Sequence, residues 1–150
     1  MPLTEVDRGE ILQLAARYAH AHDSFDAEGW ADCFTEDGAF ESGEQGRFEG
    51  RDALIGFLQT GKEFAAQRGT LGRHWTNHWV IDGDGDTATA TCYGMVIDTA
   101  NDGRVLAHGV YHDQLRKIGG SWKFTERFWT TDGPTDTELA KEAAKAYRKE

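Results

Sequence analysis

The chain has 150 residues, the size of one typical domain, and its 39% hydrophobic and 11% aromatic residues suffice for a packed core without disulfide bonds. Its formal net charge of -10, with no basic run outside the C-terminal segment, argues against a nucleic-acid partner, because a polyanion would be repelled. No apolar stretch is long enough for a membrane span, and no basic segment precedes an apolar one at the N-terminus. We therefore expect a cytoplasmic protein with no membrane partner.

The first element predicted is a long N-terminal helix. Thr4 is a suitable helix cap, and Ile11, Ala15, Tyr18 and His22 then recur at helical spacing. Tyr18 and His22 lie on one stripe of this helix, and either could point into a cavity or pack in the core. Packing is the preferred interpretation.

Two further helices and two short strands are predicted before residue 70. Trp30 and Phe34, four residues apart, indicate a second short helix over 28–34. Short strands are expected at 38–41 and 47–49, and Gly50 should then begin a third helix. Its apolar positions are Leu54, Phe57 and Leu58.

From residue 73 the pattern changes to strands rich in Thr, Val, Tyr and Trp. The predicted strands are 73–82, 87–98, 104–117 and 122–130, joined by Gly-rich turns typical of antiparallel hairpins. Helices followed by a meander, without βαβ alternation, predict an α+β fold in which helices cover one face of a curved antiparallel sheet.

The C-terminal segment follows this sheet. After Pro134, Thr135 and Glu138 have the spacing of a capping box for an Ala-rich helix over 135–149. We expect one domain over 1–150, with a core at 4–131 and this helix as an accessory element that closes a pocket or extends an interface.

Cys33 and Cys92 are too few and too far apart for a disulfide framework or a metal motif. Both are predicted to be reduced core residues.

Two histidine pairs with four-residue spacing raise the question of a metal site. They are His74 with His78 and His108 with His112. On strands this spacing spans roughly 13 Å, so neither pair can hold one ion by itself. No metal and no cofactor are expected.

Several segments together carry a family resemblance. Residues 18–30 (YAHAHDSFDAEGW), the following DCFTEDGAF, the FEGR turn at 48–51, RHWTNH from residue 73, and GSWKF at 120–124 occur in an order that resembles the SnoaL-like branch of the nuclear transport factor 2-like superfamily. This resemblance implies a cone-shaped curved antiparallel sheet with the N-terminal helices packed on its concave face. The superfamily includes polyketide cyclases, dehydratases, isomerases and non-catalytic subunits, so the fold does not select the activity.

The stretch at the end of helix 1 is most similar to the lyases of this group. In scytalone dehydratase a carboxylate at that helix end is followed four residues later by Trp, and a strand His faces it; Asp26, Trp30 and His74 match this pattern. The resemblance implies that His74 is the general acid-base and that Asp26 orients it. Phe25 stands where that enzyme has Tyr, and Asp98 falls near the position of its second pocket His.

The chemistry of such a pair is simple. A single imidazole can remove a proton and return it to the leaving group, and a carboxylate on its other nitrogen fixes the tautomer. Asp23 competes with Asp26 for this role, and Asp26 is preferred because of the spacing to Trp30. The alternatives are that Asp26 only caps a turn and that His74 is a core histidine bonded to backbone.

The predicted substrate-binding residues are Tyr18, Phe25, Trp30, Asp98 and Tyr111. Tyr111 is preferred to His108 because the two face opposite sides of their strand. Its same-face neighbours Ala107 and Gly109 are small and would leave room for a ligand.

The function expected is a cofactor-independent dehydratase of a hydrophobic cyclic or polyketide-like small molecule. The alternatives are an isomerase or cyclase with the same His base, or a non-catalytic ligand-binding or assembly subunit. A homodimer or higher homo-oligomer is expected, because Trp75, Asn77 and Trp79 share one strand parity and would expose two indoles.

Overall fold

The computed structural model describes residues 1–133 and 138–148, and within them it contains four helices and six strands. Their bounds, in chain order, are α1 Glu5–Asp23, α2 Ala27–Ala31, β1 Phe34–Ser42, β2 Gly46–Glu49, α3 Arg51–Arg68, β3 Gly72–Asp84, β4 Thr87–Asp98, β5 Arg104–Ile118, β6 Ser121–Thr131 and α4 Glu138–Arg148. The α+β class is confirmed. The predicted second helix was too long, because α2 ends at Ala31 and Phe34 already begins β1.

The strands form one curved, unclosed sheet with the order β2-β1-β6-β5-β4-β3. The predicted antiparallel meander of β3 to β6 is present. The sheet is not antiparallel throughout, because β1 pairs with β6 in parallel. A parallel pair needs a long crossover, and here β2, α3 and the strands β3 to β5 lie between the two strands along the chain. We call the face on which α1 and α3 pack the inner face, and the opposite face the outer face.

The helix α1 is fixed to the sheet through its first turn. Thr4 and Asp7 form a reciprocal capping box, which confirms the predicted cap. The Asp7 carboxylate also accepts hydrogen bonds from the Trp122 indole N–H and the Lys117 ammonium, each at 3.1 Å. Hydrogen bonds from Thr4, then from Lys117 and Trp122, hold the pKa of Asp7 far below its ordinary value of 3.8.

This network predicts a pH dependence of stability. The pKa of Asp7 is lower in the folded state than its unfolded value of 3.8. The ionised carboxylate therefore contributes fully to the free energy of unfolding above pH 3.8, and this contribution is lost as the pH falls from there towards the folded pKa. Asp7→Asn should therefore be clearly less stable than wild type at pH 6, and the difference should narrow at pH 3. Urea unfolding at both pH values checks this, and a difference that is constant with pH would contradict it.

The bulge in β3 changes which side chains face outward. The register with β4 shifts between Asn77 and Val80, and His78 has a positive φ of 54°. The extra residue turns Trp79 inward, where it packs on the core. The expectation that Trp75 and Trp79 lie on the same face of the sheet was therefore wrong. Trp75 lies on the outer face, with 55% of its surface exposed.

A buried ion pair lies under the aromatic residues of the inner face. Arg127 is 1% exposed, and its Nε donates to Asp113 Oδ1 at 2.9 Å. The guanidinium carbon lies 3.7 Å from the ring centre of Tyr111 and 4.3 Å from that of Tyr18. This cation between two rings is a tertiary feature that sequence patterning did not predict.

The two cysteines are free and buried, as predicted. Burial raises the pKa of the Cys33 thiol to about 11 and that of the Cys92 thiol to about 12, which keeps both protonated and unreactive at neutral pH.

The helix α4 packs on α3 and β2. Its Tyr147 ring lies 5.0 Å from that of Phe57, Arg68 pairs with Glu142, and Arg148 donates to the Gly43 carbonyl. The predicted capping box at Thr135 lies outside the described residues. Throughout 1–133 and 138–148, no helix is both long and apolar enough to cross a membrane.

Candidate active site

A cavity of about 280 Å³ opens on the inner face of the sheet. Its walls come from α1, α3, α4, β1 and parts of β3 to β6, and their surface is mostly apolar. The rings that line it include Tyr18, Phe25, Phe57, Tyr111, Trp129 and Tyr147. A largely apolar concave space with few polar groups is typical of a small-molecule site.

Among the polar residues that line the cavity is His74, which forms an Asp-His pair with Asp23. His74 Nδ1 lies 2.6 Å from Asp23 Oδ1, and the backbone N–H of His74 donates to the same carboxylate at 3.1 Å. The side chains of Asp23 and His74 are only 20% and 12% exposed. Asp23 is the last residue of α1 and His74 the third of β3, so the pair joins a helix end to a strand beginning.

The prediction that Asp26 pairs with His74 was wrong in its geometry. The Asp26 side chain caps α2 and accepts a hydrogen bond from the Gly29 backbone N–H at 3.0 Å. The reason is local: α1 ends at Asp23, and Phe25, with a positive φ of 56°, turns the chain so that Asp26 begins the next helix. Asp23, the competing candidate, is the residue that reaches the strand.

This geometry fixes the state of the imidazole. A carboxylate on Nδ1 favours the tautomer with the proton on Nδ1, which donates to Asp23 and leaves a lone pair on Nε2. Because His74 lines the cavity and its Nδ1 is occupied, Nε2 is the nitrogen available to a ligand. The same carboxylate would stabilise the imidazolium formed when Nε2 takes a proton.

A second histidine lies beside the pair. The ring centres of His22 and His74 are 4.3 Å apart, and both rings line the cavity. Burial, and then the neighbouring His74, lower the pKa of His22 well below its ordinary range, so it is neutral at pH 7. The sequence-based preference for mere packing was incomplete, since His22 contacts the Trp30 and Phe57 rings and also borders the cavity.

The remaining predicted residues divide into two groups. Tyr18, Phe25 and Tyr111 line the cavity. Burial raises the pKa of Tyr18 to about 12 and that of Tyr111 well above its ordinary value, so both keep their hydroxyl protons. They are able to donate a hydrogen bond to a ligand.

Trp30 does not line the cavity. It is fully buried behind the wall, stacked on Phe57 at 5.4 Å between ring centres. Its indole N–H has no hydrogen-bond partner in residues 1–133 and 138–148. Trp30 therefore supports the wall from behind and is not among the residues that line the cavity.

Asp98 likewise does not line the cavity. Its carboxylate is fully buried and accepts hydrogen bonds from the backbone N–H groups of Leu71 and Ala100 and from the side chains of Asn101 and Arg104. Asp98 organises the turn between β4 and β5, and this explains why an acid is tolerated there.

The two small residues near Tyr111 behave differently: Ala107 lines the cavity, as expected, but Gly109 does not leave free space. A Cβ at Gly109 would lie 2.0 Å from the Thr130 carbonyl oxygen and 3.0 Å from Trp129, and one at Gly94 would lie 3.0 Å from both Trp129 and Tyr111. These glycines allow the Tyr111 and Trp129 rings to lie against the sheet, so the ligand room expected at Gly109 is already occupied by protein.

The lining residues that were not predicted from the sequence include Phe57, Trp129 and Tyr147. Phe57 was assigned only to the core. Trp129 lies beside Tyr111 in the register of β5 with β6, which the sequence does not specify residue by residue. Tyr147 reaches the cavity because Gly61 of α3 leaves space for its hydroxyl.

Comparison with known proteins gives a family match and several structural relatives. The model of a family described as a SnoaL-like domain matches residues 6–128. A Mycobacterium tuberculosis protein described as of unknown function is 30% identical, with a TM-score of 0.81 over 96% of this chain and 90% of that one. No match was found among curated proteins.

Two other solved structures are similar over most of their length. An NTF2-like protein with a cystatin-like fold from Novosphingobium aromaticivorans is 25% identical, with a TM-score of 0.76 over 91% of this chain and 88% of that one. A protein from Catenulispora acidiphila, solved in complex with S-DNPA, is 29% identical, with a TM-score of 0.75 over 86% of this chain and 96% of that one.

Proposed function

Since the chain belongs to the SnoaL-like family, we propose that it is a cofactor-independent lyase that removes water from a hydrophobic cyclic or polyketide-like small molecule. The observation that carries this proposal is the Asp23–His74 pair at the wall of an aromatic cavity. The family includes other activities, so the proposal depends on this pair and not on the fold.

The proposed reaction uses His74 twice. Its Nε2 removes a proton from a carbon next to a carbonyl group, and the electrons of that C–H bond form the new double bond as the β C–O bond breaks. The proton on Nε2 then passes to the departing oxygen, which leaves as water. Asp23 holds the ring and stabilises the imidazolium between the two transfers.

The walls of the cavity support the substrate class. Flat rings of Tyr18, Phe57, Tyr111 and Trp129 favour an apolar ligand with a cyclic skeleton, and the two tyrosine hydroxyls can donate to a carbonyl oxygen. The Catenulispora acidiphila relative, solved with S-DNPA, supports a small molecule as the ligand.

A second candidate is an isomerase or cyclase. The same Nε2 could remove a proton from one carbon and return it to another, because a single acid-base suffices for both reactions. The open cavity argues against an assembly subunit with a filled core, while a non-catalytic ligand-binding protein would show no turnover of any compound that binds.

The test begins with ligand discovery. β-Hydroxy carbonyl compounds with one to three rings are screened for heat stabilisation, since a ligand bound to the native state raises its stability. Compounds that bind are then incubated in D₂O, and products are identified by mass spectrometry. Loss of water supports the lyase. Exchange or migration of the α-hydrogen without loss of water would contradict it and favour the isomerase.

We also propose a homodimer formed by the outer face of the sheet. Trp75, Val80 and Tyr93 are 55%, 61% and 57% exposed on adjacent strands, which is a large apolar patch for a monomer. Sedimentation of the wild type should give a dimer at micromolar concentration, and Trp75→Glu should shift it to monomer. Leu12→Glu, at an exposed site on α1, is the control and should remain dimeric. A monomeric wild type would contradict the proposal.

A further inference from the structure

Two imidazoles and one carboxylate converge at the cavity wall. One potential ligand atom from each of His22, Asp23 and His74 lies within 4.8 Å of the others. His22 and Asp23 are adjacent at the end of α1, while His74 comes from β3, so the cluster forms only when the helix end meets the strand. His74 belongs to one of the histidine pairs that the sequence spacing singled out, but its partner in the cluster is His22 and not His78.

We propose that this cluster is a binding site for a divalent transition-metal ion of the zinc type, and that the ion inhibits the enzyme. The inhibitory part rests on the proposed function, in which His74 is the base. The metal site itself rests on the three side chains and their arrangement.

The ligand set fits such an ion. Two imidazole nitrogens and one carboxylate oxygen suit zinc, whereas magnesium and calcium prefer oxygen ligands. Bonds of about 2.0 to 2.2 Å place ligand atoms roughly 3.3 Å apart in a tetrahedral site. Asp23 Oδ1 and His74 Nδ1 are now 2.6 Å apart, so small side-chain rotations would admit the ion between them and His22.

The surroundings of the cluster also fit. The backbone N–H of His74 donates to Asp23 Oδ2 at 3.1 Å, a bond that would hold the carboxylate while Oδ1 binds the metal. The adjoining cavity leaves space for a water molecule as a fourth ligand.

Metal binding and base catalysis are mutually exclusive at His74. To bind the ion through Nδ1, the neutral ring must carry its proton on Nε2, so the proton moves from one nitrogen to the other and none is released. The lone pair that would remove the substrate proton is then absent. Zinc would therefore replace the Nδ1 proton that lies between His74 and Asp23.

To test this, the full-length protein is first treated with a chelator and zinc is then added. Isothermal titration should show one zinc per chain, and thermal unfolding should shift upward with zinc but not with magnesium. His22→Gln, Asp23→Asn and His74→Gln should each weaken zinc binding by about tenfold or more. His108→Gln, which alters the exposed pair with Asp132 on the other side of the sheet, is the matched control and should bind zinc like wild type.

Each outcome decides the proposal. The proposed site would be overturned if wild type did not bind zinc, or if all folded variants bound zinc as tightly as wild type. Three variants are used so that the test still stands if one of them does not fold. Cobalt spectra of the bound state should show nitrogen and oxygen ligands in a four-coordinate site. Spectra of an octahedral, fully hydrated ion would also overturn it.

Turnover separates this inference from the proposed function. If the enzyme is active with chelator present and loses activity as zinc binds, the result supports both the lyase function and the inhibition by zinc. Activity that requires zinc would contradict the cofactor-independent lyase and the inhibition while leaving the metal site standing. Full activity with zinc bound at one per chain would overturn the inhibition.

Discussion

Replacing His74 with Gln should lower turnover of an identified substrate by about 10² to 10⁴-fold, which is roughly 3 to 5 kcal/mol of barrier. Gln keeps much of the size and hydrogen-bonding capacity of His but has no proton to exchange near neutral pH. The loss should therefore be catalytic. Thermal unfolding run in parallel should show a cooperative transition close to that of wild type. Near-normal turnover by the folded variant would refute the role of His74 as the base.

Asp23→Asn should also reduce turnover strongly, because an amide can present its NH₂ group to His74 Nδ1 and favour the wrong tautomer. Asp26→Asn is the matched control. Asn caps helices about as well as Asp, so the hydrogen bond from Gly29 should survive and both activity and stability should change little. This order reverses the one that the sequence resemblance implies. A larger effect at Asp26 than at Asp23 would show that the observed pair is not the working one.

Asp113→Asn should destabilise the fold by about 3 to 5 kcal/mol, because it leaves the Arg127 cation uncompensated in the core. The guanidinium is enclosed by the Tyr18 and Tyr111 rings, so water cannot replace the lost charge. The measurement is the free energy of unfolding obtained from urea unfolding of the variant and of wild type.

The control for this prediction is an exposed ion pair of the same chemistry. Asp32 pairs with Arg51 at 2.7 Å, but the two side chains are 63% and 47% exposed. Asp32→Asn should cost no more than about 1 kcal/mol, because solvent screens the pair. Replacing both members of the buried pair by apolar residues, as in Arg127→Met with Asp113→Leu, should recover much of the stability that Asp113→Asn loses. If Asp113→Asn and Asp32→Asn lowered the free energy of unfolding equally, burial of the Asp113–Arg127 pair would have no energetic consequence.

The sequence alone determined the features that depend on neighbouring residues. Thr4 and Asp7 specify the start of α1, since the side chain of each accepts a hydrogen bond from the backbone N–H of the other. Glycines at the meander turns supply positive φ angles, as at Gly85 and Gly103. The order of the elements, helices followed by a meander of strands, then predicted a sheet with one covered face, and the resemblance in segment order indicated the family.

Only the tertiary structure decided which of two nearby carboxylates reaches the strand. Asp23 and Asp26 differ by three residues, less than one helical turn, and sequence patterns locate helix ends to within only a few residues. Because α1 ends at Asp23 and Phe25 turns the chain with a positive φ of 56°, Asp23 lies beside β3 while Asp26 caps α2. His74 Nδ1 therefore meets the earlier Asp.

The same reason applies to the other features that were missed. The bulge at His78, the parallel pairing of β1 with β6 and the contact of Arg127 with Asp113 all depend on lateral register between strands. Register is fixed by burial summed over a whole face, and a shift of one residue exchanges the inner and outer sides. Local sequence therefore determined which strands and turns form, while packing of the complete sheet decided which side chains meet at the site.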